Sequence, residues 1–192
     1  YQDFWSQKNI QINDVHKTKY TVQGGVGTAE EHDFLLNHYE FDGIGWGSPF
    51  LLVPEATTLD DATLAALTTA EAEDFYISDA SPLGVPFNNC RKSSSEKLRL
   101  ERIATGRPGS PCKKKYLVSN AEYSNEPVCT ASRVYQNIKI KELDSKQLEA
   151  NEYKKEYAII TEKACLCNGL AAPAYLKYDL LKPKEDSAVA IC

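Results

Sequence analysis

Two glycine-rich turns constrain this chain more than any other feature: Gly24-Gly25-Val26-Gly27-Thr28 and Gly43-Ile44-Gly45-Trp46-Gly47-Ser48. Each follows a short apolar run and precedes a helix-like stretch. The first is preceded by Tyr20-Thr21-Val22-Gln23, whose β-branched and aromatic residues read as a buried strand. After it, Ala29 to Tyr39 is helix-like: Phe34, Leu35 and Tyr39 are spaced to share a face, and Glu30, Glu31 and Asp33 stand near the positive N-terminal end. A second, shorter cycle runs from Phe41 to Ile44 as strand, through the glycine turn, to Pro49-Phe50-Leu51-Leu52-Val53. Strand, glycine turn and helix in repetition predict an α/β fold.

Glycine lets a backbone approach an anion without Cβ obstruction, and the open N–H groups and dipole at a helix start supply attraction. Two such turns side by side suit a phosphate. The candidate cradle is Gly24, Gly25, Gly27, Thr28, Gly45, Gly47 and Ser48. The competing expectation is that these glycines serve only tight turns and close helix-strand packing in an α/β domain without a ligand.

On these residues the chain resembles the end of the FMN-binding (β/α)8 barrels, the group that includes nitronate monooxygenases, inosine monophosphate dehydrogenases and dihydroorotate dehydrogenases. In that group a Gly-Gly-Ile-like turn after the seventh strand and a Gly-Thr-x-Phe-like turn after the eighth hold the cofactor phosphate. Gly24-Gly25-Val26-Gly27-Thr28 matches the first and Gly47-Ser48-Pro49-Phe50 the second, with serine for the usual threonine. The resemblance covers residues 18 to 56 and implies FMN as cofactor and a small-molecule substrate. It supplies neither the flavin contacts of earlier strands nor a catalytic base. A full barrel needs about 250 residues, and two cycles cannot close one. The expectation is therefore the last two βα units of a barrel, with the missing N-terminal part of the same protein as partner. Residues 1–89 would be the barrel-like segment and residues 90–192 a mixed α+β, cysteine-containing module.

Charge divides the chain. From Tyr20 to Cys90 there are twelve acidic residues and no lysine or arginine, whereas all 22 basic residues and the other 15 acids lie outside that block. An acidic half without lysine must hold phosphate through backbone amides, or a basic segment must fold over it. Arg91 to Lys115 is the basic candidate. Ser93 with Glu96 fits a capping box, Lys97 to Ala104 continues that helix up to Gly106, and Arg107-Pro108-Gly109-Ser110-Pro111 reads as a loop. A solvated helix balancing the acidic half is favoured over an anion-binding lid. The pI of 5.3 argues against a nucleic-acid partner. No run is long enough to cross a bilayer, so no membrane partner is expected and a cytoplasmic location is.

Elsewhere, Leu59 to Ala72 predicts a helix capped by Thr58 or Asp60, and the proline- and glycine-bearing stretch Asp79 to Asn89 a loop. Val134 to Leu148 begins with strand-like alternation and ends as a charged helix. Glu149 to Glu156 is polar, and Tyr157-Ala158-Ile159-Ile160-Thr161 reads as a short strand. Lys182 to Asp186 reads as a mobile tail. His32 and His38 fall on different faces of one helix and His16 stands beside lysines, which disfavours a shared metal.

Six cysteines, Cys90, Cys112, Cys129, Cys165, Cys167 and Cys192, provide the second chemical signal. Cys165-Leu166-Cys167 can aim two thiolates at one ion, and Cys112 and Cys129 sit near prolines in turns. Thiolates of Cys112, Cys129, Cys165 and Cys167 would suit tetrahedral zinc or an iron-sulfur cluster, although the spacing matches no standard knuckle. Ordinary reduced cysteines and disulfides remain alternatives. The expected function is a flavin-dependent oxidoreductase. Its rivals are a zinc- or iron-sulfur-stabilised interaction module without catalysis, and a flavin-free barrel enzyme acting on a phosphorylated metabolite.

Overall fold

Thr21–Gln23 (β1) and Gly43–Gly45 (β2) pair in parallel, Val22 opposite Ile44, with the helix Ala29–His38 (α2) between them in sequence. This βαβ unit is the strand-turn-helix-strand order predicted from the two glycine turns. The computed structural model describes residues 2–9, 17–183 and 187–191. They fall into two compact units, Tyr1–Phe50 and Leu51–Cys192.

In the first unit a short helix, Gln2–Gln7 (α1), precedes the βαβ element, and a 3-10 turn, Ser48–Leu52, follows it. Helix α2 starts where its cap dictates. Thr28 accepts the Glu31 N–H through its hydroxyl, and Glu31 reaches back to the Thr28 N–H, a reciprocal capping box. The predicted burial of β1 is not observed: Thr21 and Gln23 are exposed and only Val22 is half-buried. A two-stranded sheet with one crossover helix leaves most strand surface uncovered, whereas parallel strands normally carry helices on both faces. Phe34 and Tyr39 are likewise 52% and 57% exposed.

The second unit opens with Asp61–Thr68 (α3), capped by Asp60, whose carboxylate accepts the Thr63 N–H at 3.0 Å. Phe75–Ser78 (β3) and Phe87–Cys90 (β4) form an antiparallel pair. The predicted loop from Asp79 to Asn89 therefore ends early, because Phe87, Asn88 and Asn89 gain ladder partners in β3. Helix α4, Ser94–Ala104, is capped by Ser93 and ends before Gly106, as predicted, but the reciprocal half of the capping box is not formed: the Glu96 carboxylate takes Arg99, and the Ser93 N–H donates to Cys90 O.

Two expectations are overturned downstream. Val134 to Leu148 does not begin as a strand: Arg133–Ser145 (α5) is helical throughout, started by Ser132, which accepts the Tyr135 N–H. Tyr157 to Thr161 is not a strand either, since it lies inside Ala150–Glu162 (α6). The two helices pack on each other across a short connection, and burial of Leu143, Gln136 and Thr161 outweighs the β-branched preference of Ile159 and Ile160. Leu166–Gly169 (α7) and Ala172–Lys177 (α8) follow. Of the predicted tail, residues 184–186 lie outside the described residues.

The core of this unit gathers Cys90, Ala172, Val189 and Ile191, with Leu67 and Phe75 packed against them. The segment 187–191 is tied on three sides. Cys90 donates its N–H to Ile191 O at 3.1 Å, Ser95 to Val189 O at 3.0 Å, and Ala190 to Gly169 O at 3.0 Å.

Candidate anion and thiol sites

Parallel pairing places the two glycine turns side by side at the carboxyl ends of β1 and β2, and the Gly24 N–H donates to Gly45 O at 3.3 Å. Gly24 and Gly25 have φ of +81° and +71°, values that favour glycine. Gly47 differs. Its φ is not in the left-handed region, and a Cβ built there would meet nothing within 4 Å. At Gly27 a Cβ would meet only Glu31 Oε2, at 3.8 Å. Gly45, by contrast, leaves room for the Gln23 side chain.

The first turn already holds an anion of the chain's own. Glu31 Oε2 accepts the N–H groups of Gly27 at 2.8 Å and Thr28 at 3.1 Å. The Gly27 N–H, and then the Thr28 N–H, hold the Glu31 carboxyl below the usual carboxylate range. The sequence placed Glu31 near the positive helix end but gave no sign that it would reach these amides; the Thr28-x-x-Glu31 spacing was the available signal. In the second turn, Trp46 Nε1–H donates to His32 Nδ1 at 2.9 Å. His38 instead stacks on Phe34, 4.8 Å between ring centroids, so the two histidines serve separate contacts. Ser48 opens the 3-10 turn after β2. His16 lies outside the described residues.

The basic segment is largely engaged within its own unit. Lys92 pairs with Asp74 at 2.6 Å, Arg99 pairs with Glu96 at 2.6 Å, and Arg91 lies over the Tyr76 ring, 4.1 Å from its centroid.

In the second unit the four cysteines singled out by sequence are brought together. Ser110 donates its N–H to Ala131 O at 2.9 Å and accepts the Arg133 N–H at 2.8 Å, which sets the Cys112 loop beside the Cys129 loop. Thr130 donates its hydroxyl to Pro82 O at 3.2 Å, and Ala164 its N–H to Ala80 O at 2.9 Å. One loop after β3 thus anchors the residue after Cys129 and the residue before Cys165. Lys114 Nζ donates to Tyr175 OH at 2.8 Å and fixes the Cys112 loop to α8. The intervening chain is clasped to α5 by Lys139 on Glu122 at 2.6 Å and by Tyr123 OH on Glu142 at 2.6 Å.

Within this frame the thiols of Cys112 and Cys129 are hydrogen-bonded, and Cys165 and Cys167 stand near enough to raise both. Burial, and then the neighbouring Cys165, raises the Cys112 thiol. Burial pushes Cys129 up to about 12, against the Ala131 N–H that favours its thiolate. Among the described residues, no three His, Cys, Asp or Glu side chains stand in metal-holding geometry. Cys90 is apart, fully buried in the core, and Cys192 lies outside the described residues.

The chain matches no family model, no curated protein and no solved structure. Among the described residues, no helix is long and apolar enough to cross a membrane.

Proposed function

We infer that the first unit is the end of an FMN-binding (β/α)8 barrel, and that the protein is a flavin-dependent oxidoreductase whose glycine turns hold the cofactor phosphate. Gly47 carries this reading: neither its backbone angle nor any neighbour calls for glycine, yet it stands in the turn after β2, beside the turn after β1. Close approach of a ligand is the remaining physical use of a missing Cβ. The exposed faces of β1 and α2 fit a βα pair that packs within a larger parallel sheet formed with further chain.

FMN, when bound, supplies the redox chemistry. The chain's own part is to position the phosphate. From Tyr20 to Phe50 there is no lysine or arginine, so main-chain N–H groups of Gly24, Gly25, Gly45, Gly47 and Ser48 would supply the attraction. Glu31 occupies the amides of Gly27 and Thr28 and opposes a second anion there by like charge.

Titration of FMN into the full chain, followed by flavin absorbance and fluorescence, tests this. Saturable binding is expected, with Gly47→Ala weakening it at least tenfold while leaving the unfolding midpoint unchanged, and Glu31→Gln strengthening it. No saturable FMN binding by the parent chain would end the flavin reading. Equal binding of riboflavin and FMN would end the phosphate role of the turns.

A further inference from the structure

We propose that the second unit binds a small uncharged amphiphile, an aliphatic or aromatic alcohol by chemical class, in two adjoining cavities beneath the strap of residues 53–59. Both cavities lie wholly within that unit, so the proposal is independent of the flavin reading. The inner one, about 120 Å³, lies between the strap, α3 and the 187–191 segment. The outer one, also about 120 Å³, lies between the strap, α3 and the end of α8. Leu51, Thr57, Thr58 and Leu59 belong to the walls of both.

The inner walls are mostly hydrocarbon, Leu59, Leu67, Leu170 and Ile191 among them, and no charged side chain lines them among the described residues. Leu67 and Ile191 also pack with Cys90 and Val189, so the cavity is unfilled volume at the edge of the core. An apolar cavity of about 150 Å³ takes up one benzene-sized molecule. The inner cavity therefore suits one small ring or a short alkyl chain, and the outer one admits its extension.

Hydroxyls supply the inner polarity. Thr63 is 7% exposed, yet its hydroxyl has no hydrogen-bond partner among the described residues, and neither have those of Thr57 and Thr58. Thr68 and Thr69, at the other end of α3, instead turn their hydroxyls back to Ala65 O. The Thr63 N–H is already taken by Asp60, which leaves the side chain as the open group. A buried hydroxyl without a partner carries a desolvation cost, and a ligand hydroxyl, able to donate one bond and accept two, removes it.

Charge on the ligand is disfavoured in both cavities. Nothing in the inner wall would compensate an ion taken out of water. At the outer cavity Lys177 is bound to Asp61 at 2.8 Å. Asp60, between the wall residues Leu59 and Thr63 in the chain, has its Oδ2 buried without a partner. The two acids oppose a carboxylate and Lys177 opposes an ammonium.

The strap provides the way in. Ala56 and Thr57 donate their N–H groups to Val53 O at 2.9 and 3.0 Å, and among the described residues no hydrogen bond joins residues 53–59 to another element. Side-chain packing and its two chain ends hold it over the cavities, so lifting it breaks no ladder.

The test titrates the full chain with 1-hexanol, hexanoate, hexylammonium and toluene, followed by amide chemical shifts and the unfolding midpoint. Hexanol should bind saturably, raise the midpoint and shift the amides of Thr57, Thr58, Thr63 and Ile191, with hexanoate and hexylammonium at least tenfold weaker. Thr63→Val, which keeps the shape of the side chain without its hydroxyl, should weaken hexanol about fivefold and leave toluene unchanged. Thr57→Phe, which fills the shared wall, should abolish binding of both. Absence of saturable hexanol binding would overturn the proposal, as would hexanoate or hexylammonium binding as tightly as hexanol, undiminished binding by folded Thr57→Phe, or equal losses of hexanol and toluene in Thr63→Val.

Discussion

Trp46 donates its indole N–H to Nδ1 of His32 across 2.9 Å, with the two rings tilted at 58°. The bond ties the residue before Gly47 to the helix that follows the first glycine turn. Replacing Trp46 with Phe keeps an aromatic ring but removes the donor, and should cost about 1 kcal/mol of local stability. Hydrogen exchange of the amides from Gly45 to Gly47 should quicken accordingly, with the amides of the second unit unaffected.

Glu31 gives the first turn a pH dependence of definite sign. Its carboxyl is depressed in the folded chain by the N–H groups of Gly27 and Thr28. The stabilisation it brings is therefore complete above the ordinary carboxylate pKa, and is lost as pH falls through the lower, folded value. Amide resonances of Gly27 and Thr28 should titrate together in acid and stay flat in Glu31→Gln. Thr28→Ala, which removes the other half of the capping box, should destabilise α2 by about 1 kcal/mol.

Arg99 joins α4 to α6 through one bond, Nη1 to Thr161 O at 3.0 Å, and is held for it by a fork to Glu96 on its own helix, Nε to Oε2 at 2.8 Å and Nη2 to Oε1 at 2.6 Å. Arg99→Ala strands a largely buried carboxylate and should cost about 2–3 kcal/mol in denaturant unfolding. That falls short of a fully buried pair because the Arg99 side chain keeps 18% exposure. Arg99→Lys should recover little, since an ammonium cannot make the forked contact. Joint replacement by Leu at 96 and Met at 99 should lie closer to the parent than Arg99→Ala does.

Gly169 marks where α7 meets the C-terminal segment. A Cβ there would stand 2.6 Å from Ala190 Cβ and 3.1 Å from Ala190 N. Gly169→Ala should lower stability by about 1–3 kcal/mol. Adding Ala190→Gly should restore part of the loss, a coupling that a double-mutant cycle reads directly.

Local chemistry made much of the fold readable. Ser93, and Asp60 as one of two candidate caps with Thr58, announced helix starts, and the two glycine turns announced the strand, turn and helix order. What failed was reading α5 and α6 from their side-chain types. Ile159 and Ile160 prefer strands in isolation, and their helix is fixed instead by its packing on α5, a long-range effect invisible in a short window. The convergence of the four cysteines was legible only as four turn-like contexts. Their meeting depends on bonds such as that from Ala164 to Ala80, whose partners are ordinary residues with no pattern of their own. Occupation of the Gly27 and Thr28 amides by Glu31 was masked by reading the acid as a dipole partner alone.

Val189 and Ile191 close the interior around Cys90, and this fixes when the unit can form during synthesis. Until residue 191 has left the ribosome, Phe75, Cys90 and Ala172 have no cover on that side. Closure of that side of the interior therefore waits for Val189 and Ile191. A nascent chain halted a few codons earlier would display an open apolar seam to chaperones and proteases.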